Sequence, residues 1–239
     1  MTKQDNAVRP FQIVADKGCN LPPWLIRRFG IHLFPQDNIY SIEEDILFMA
    51  SSDAVGNYRH MIQSAYDDLS ARNPNRDYKI VDSLCVGLGF GRLLMGACEL
   101  REDQVSLEET YQWARDNRLR VCHWFLTTEA AGLLPDAAGD EDAPVLVHVD
   151  DSGAFAPRTD KVASLDGLLT IFKNTAHKPY NKHSVSITHA SNEAAALELA
   201  DLLANQCEVT NPMIYHMEEV LTAKLGTGAV GLLFWGDQR

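Results

Sequence analysis

Apolar runs of four to six residues alternate with segments of helical spacing through the first half of the chain: Phe11–Asp16, Ile31–Phe34, Ile46–Met49, Tyr78–Val81 and Val121–Leu126. A chain patterned this way buries its strands on both faces, which predicts an α/β fold built on a mostly parallel sheet flanked by helices. Ligands of such sheets sit beyond the carboxyl ends of the strands. Three of the runs end in polar residues, namely Asp16, Ser51-Ser52-Asp53 and Asp82-Ser83. The pattern therefore places these side chains together on one rim.

The intervening segments carry helix signals. Pro22-Pro23 opens a short helix that closes on Arg27-Arg28-Phe29-Gly30. Ala54, Tyr58, Met61, Ile62, Ala65 and Leu69 fall on one helical face, and Phe90, Leu93, Leu94 and Ala97 on another. Ser106 with Glu109 is a capping box for a helix ending near Arg118. The second half is predicted as a mixed α/β unit: a hairpin of Val145–Val149 and Ala154–Ala156 turning at Asp151-Ser152-Gly153, helices capped by Ser164 and Ser191, and strands Val185–Thr188 and Ala229–Trp235. The domain change is placed near Thr127, giving an N-terminal domain over residues 1–126 and a C-terminal one over 127–239. The first ten residues and the acidic stretch Leu133–Pro144 are expected to be exposed.

Charge and motif content narrow the function. The formal net charge of −12 opposes nucleic acid and anionic membranes as partners. No apolar span or leader pattern is present, so a cytoplasmic, non-integral protein is expected. Five scattered cysteines without a CxxC pair are expected as buried thiols, and the eight histidines form no HxH or HExxH, so no metal and no cofactor is expected. Gly87-Leu88-Gly89-Phe90-Gly91 follows a strand and opens a helix, but Arg92 stands where a dinucleotide fingerprint needs its last glycine. Small residues that let a helix lie close to the sheet are the simpler reading. Walker A and GxSxG motifs are absent, and no partner spacing makes Asp16, Asp82 or His189 catalytic. The chain is expected not to be an enzyme. Hydroxyl and amide chemistry remains, with Ser51 and Ser52 just before Gly56-Asn57 at the start of a helix. Either an N-cap or a place for an anionic oxygen fits that arrangement.

These residues resemble the DegV family. Ile13–Pro22 is similar to its opening strand, Asp45–Tyr58 to its Ile-Ser-Ser-x-Leu-Ser-Gly-Thr-Tyr stretch, and Ile80-Val81-Asp82-Ser83 to its Val-Ile-Asp-Ser strand. Ile187–Ala194 is similar to Ile-x-His-Ala-x-x-x-Glu-Ala with one residue fewer before Glu193, and Lys224–Leu232 falls where the family has His-x-Gly-Pro-Gly-Ala-x-Gly-Leu. The family's Thr-Ser-Gln-Pro-Ser and Gly-Gly-Arg elements have no counterpart, Val55 stands for a serine, and Lys224 for a histidine.

The resemblance implies two α/β domains holding a long-chain fatty acid between them, with polar side chains on its carboxylate. A fatty acid kinase is the implied partner. The ligand-binding candidates are Asp16, Ser51, Ser52, Asn57, Ser83 and Lys224. The alternative is a degenerate relative acting as an interaction or regulatory subunit without bound lipid.

Overall fold

The structure, a computed structural model, describes residues 8–128, 143–158, 162–178, 185–237 and 239. Most of the acidic stretch, and the first seven residues of the expected N-terminal arm, lie outside them. In the first half, β1 (Phe11–Asp16), β2 (Ile31–Phe34), β3 (Asp45–Ala50) and β4 (Tyr78–Asp82) form a sheet in the order β2-β1-β3-β4, parallel throughout. The predicted strand ends therefore do lie on one rim.

Side-chain alternation divides this sheet between two cores. Val14, Ile46, Phe48 and Ala50 point to one side, where α2 (Tyr58–Arg72) covers them with Ile62, Ala65 and Leu69. Ile13, Ala15, Leu47 and Met49 point to the other, joining α1 (Pro23–Phe29) and α3 (Gly87–Glu102). The capping box of Ser106 and Glu109 is present and starts α4 (Leu107–Asn117).

A second sheet is built from β5 (Val121–Thr127), β6 (Val145–Val149), β7 (Phe155–Arg158), β8 (Val185–His189), β9 (Met213–His216) and β10 (Val230–Trp235). Its order is β7-β6-β5-β10-β8-β9, and only β8 and β9 are parallel. One face is covered by α5 (Leu165–Thr175) and α6 (Glu193–Cys207). The other face contributes Phe125, Val147 and Leu233 to the same core as α3. The mixed second unit is thus as expected: it has its own core beneath α5 and α6, and its other face shares a core with the first unit.

Four details differ from the sequence reading. β5, assigned to the first domain by the boundary at Thr127, is an inner strand of the second sheet, so the break between sheets falls after α4. Its residues are buried on both faces, and nothing in such a run tells which sheet it joins. The helix expected from Ala54 begins at Tyr58, after a 3-10 turn Asp53–Val55. Asn192, not Ser191, caps α6, accepting from the Ala195 N–H at 3.3 Å. β9 and the short helix α7 (Glu219–Leu225) were not foreseen.

The glycine run at the start of α3 is a packing device. A Cβ on Gly89 would stand 2.0 Å from the His123 ring, and one on Gly91 would stand 2.6 Å from the Cys19 carbonyl oxygen. Only hydrogen in place of a side chain lets α3 sit between both sheets. Replacing Gly89 with alanine should therefore lower the unfolding free energy by about 2 kcal/mol or more. Urea titration measures it, and an unchanged midpoint would show that the helix is free to move off β5.

Candidate functional site

The rim opens from β1. Asp16 is completely buried, and a carboxylate without water needs donors. Its Oδ1 accepts from the Gly18 N–H at 2.8 Å and the Ser51 hydroxyl at 2.7 Å, and its Oδ2 accepts from the Ser51 N–H at 2.7 Å. The β1–β3 pairing brings the two strand ends side by side and so makes this network possible. Burial nevertheless pushes the Asp16 carboxyl above its ordinary range, against the pull of Ser51 and Gly18.

Ser52 faces the other way. Its hydroxyl accepts from the Ala54 N–H at 3.2 Å and donates to the Gly153 carbonyl at 2.6 Å, in the turn between β6 and β7. Gly153 has φ +85°, and a Cβ there would meet the Ser52 hydroxyl at 2.7 Å. Ser83, also completely buried, accepts from the Cys85 N–H at 3.1 Å and ties its own N–H to the Ala50 carbonyl at 2.9 Å. Arg239 closes the seam: its guanidinium donates to the carbonyls of Val121, Asp150 and Arg118 and to the Cys85 sulfur.

Four of the six candidates, Asp16, Ser51, Ser52 and Ser83, are thus brought together, though the Ser51 hydroxyl serves Asp16. Asn57 is exposed and makes no side-chain cap on α2. Because the helix begins late, Ser51 and Ser52 do not stand directly at its N-terminus. Lys224 is half-buried on α7, which packs on the turn Asp53–Val55, and no bond joins it to the rim.

Sequence reasoning missed Glu218. This residue precedes α7, its Oε1 is buried without a hydrogen-bond partner, and its carboxyl is pushed up to about 7. Burial is the main cause; repulsion from Asp16 and Glu219 adds to it and Lys17 opposes it. The same surroundings push the Tyr58 hydroxyl up to about 12. The Glu218-Glu219 pair ahead of an apolar Val220-Leu221 was the available signal, but two adjacent acids read equally well as a solvated turn.

A raised carboxyl favours the folded state while protonated. Its contribution is complete below the ordinary value near 4.5 and disappears as pH rises through about 7. Glu218→Gln should consequently be more stable than the parent at pH 8, by up to about 3 kcal/mol, and nearly equal to it at pH 4. Denaturation curves at the two pH values check this, and an equal gap at both would remove the buried acid as its cause.

No family model matches the chain. A curated DegV domain-containing protein from Clostridium perfringens is 25% identical over 206 residues, 81% of this chain and 70% of that protein. A DegV family protein from Corynebacterium glutamicum is similar over 97% of this chain and 100% of its own, with TM-score 0.77 and 17% identity. A DegV lipid-binding protein from Thermotoga maritima matches over 96% and 99%, with TM-score 0.74 and 16% identity. A DegV family protein from Eubacterium eligens loaded with heptadecanoic acid matches over 95% and 100%, with TM-score 0.75 and 12% identity.

The fold is that of the DegV family. The DegV-like segments read from the sequence meet in space. Those of the first half form the rim. In the second half, the Ala190 N–H donates to the Ala229 carbonyl at 2.9 Å, and the Asn192 amide donates to the Gly228 carbonyl at 2.8 Å. Among the described residues no helix is long and apolar enough to cross a membrane.

Proposed function

We propose that this DegV-fold chain binds a long-chain fatty acid or a similar lipid between its two sheets and performs no chemistry on it. The observation that carries the reading is the Ser52 hydroxyl, which crosses the seam to an oxygen of the second sheet at 2.6 Å. A ligand carboxylate oxygen taking the place of the Gly153 carbonyl would accept the same proton. Support comes from the shared fold with a protein loaded with heptadecanoic acid. Lys224, on a helix packed against the same turn, would supply a positive charge to the head group.

A carrier rather than a catalyst fits the side chains. Burial pushes Cys19, Cys98 and Cys122 up to about 12 and Cys85 to about 11, so they stay thiols, and the Ser51 hydroxyl is fully enclosed. Asp16 and Ser83 hold the rim in shape, and Asn57 lies at its solvent edge. The partner implied is a fatty acid kinase that would act on the presented carboxyl, in the cytoplasm.

One observation favours the second reading, an interaction or regulatory subunit without lipid. Ser52 and Arg239 tie the two halves directly to each other, through Gly153 and through Arg118 and Cys85.

Organic extraction of protein purified from lipid-replete cells, followed by mass spectrometry, separates the two. A carrier yields about one acyl chain per protein molecule. Tail burial contributes about 0.8 kcal/mol per CH₂ and dominates affinity. Ser52→Ala should weaken binding about tenfold rather than abolish it. A lipid-free extract together with a stoichiometric co-purifying protein establishes the second reading.

A further inference from the structure

A separate cavity of about 220 Å³ opens beside the rim, at the carboxyl ends of β3 and β4. Arg59 from α2, Arg115 from α4 and Arg118 from the turn after α4 all line it, and Asp82 is its one acid. On a chain of net charge −12, three guanidinium groups converging from separate elements form a local reversal of sign. Asp82 answers one of them: its carboxylate lies 3.3 Å from Arg59, which also reaches Asp53 at 3.3 Å.

The other two cations have no carboxylate partner among the described residues. Arg118 donates to the Asp82 backbone carbonyl at 2.7 Å, and Arg115 donates to the Tyr111 hydroxyl at 3.2 Å and stacks near its ring. These contacts aim the guanidinium groups without neutralising them. With Asp53 and Asp82 both on Arg59, the three cations keep a surplus of one positive charge, carried by Arg115 and Arg118.

We propose that this pocket binds the phosphate group of a phosphate monoester. A carboxylate presents two oxygens in a plane and suits a single guanidinium fork. A tetrahedral phosphate presents three, which suits cations arriving from three directions. The volume admits the phosphate and a few attached atoms. Gln63, also on the wall, supplies an uncharged amide donor. The site lies outside the proposed lipid seam and does not rest on it.

Calorimetric titration at low salt and pH 8 tests the pocket with glycerol 3-phosphate as a soluble monoester and phosphatidate vesicles as its membrane-borne form. Saturable binding to at least one is expected, with acetate silent, and the productive probe identifies the source. The double variant Arg59→Ala/Arg115→Ala alters two exposed side chains and should weaken binding at least tenfold, about 1.4 kcal/mol. Arg101→Ala, at a different surface, should leave it unchanged. Circular dichroism verifies that the variants fold, and Arg115→Gln alone, expected to weaken binding severalfold, stands in should the double variant not fold. No binding to either probe at ~20 mM phosphate, well above a millimolar dissociation constant, overturns the proposal. Equal binding by the arginine variants or by acetate does the same.

Discussion

The close approach of α3 to β5 and to the turn after β1 is the constraint on which everything else rests. With Gly89 under the His123 ring and Gly91 under the Cys19 carbonyl, the helix touches both sheets at once, and its residues from Gly87 to Leu94 are all buried. His123 conforms to this dry environment. Burial holds its ring well below the ordinary histidine range, and its Nε2 accepts from the Val86 N–H at 3.3 Å. Arg92 continues the tie by donating from α3 to the Ser186 hydroxyl and the Val185 carbonyl of β8. Two sheets that could have been separate bodies are thereby fixed around a common wall.

That wall lets the rim hold an electrostatic arrangement it could not otherwise keep. A carboxylate at Asp16 is tolerable only because three donors converge on it, and two come from Ser51. The adjacent serines therefore have opposite tasks. Ser51 satisfies a buried charge of its own sheet, whereas Ser52 reaches across to the second. Glu218 experiences the consequence from the far side: a second acid near Asp16, short of donors, is more stable with its proton on.

Local structure was legible in the sequence wherever one pattern had one cause. The parallel strands, the capping box at Ser106 and the reading of the glycine run as close packing needed only period, cap chemistry and the misplaced Arg92. Partnership between distant segments was not legible. β5 reads as a buried strand in any sheet, and only its pairing with β10, more than a hundred residues later, assigns it. The same limit applied at the site. Asp16, Ser51, Ser52 and Ser83 could be gathered by topology. The bond from Ser52 to Gly153 and the isolation of Glu218 depend on how the second sheet docks, which no local pattern encodes.

The docking also determines which part of the seam can open. Separating the sheets bodily would expose α3 and pull Arg92 from its acceptors on β8, at the expense of the core they share. The turn between β6 and β7 is held to the rim by far less: the Ser52 hydroxyl on Gly153 and the Arg239 guanidinium on Asp150. Moreover β7 is an edge strand, paired on one side only, and is the cheaper element to displace. A ligand entering the seam would therefore move this turn and β7 and leave α3 and β6 in place, exchanging one carbonyl oxygen on Ser52 for one of its own.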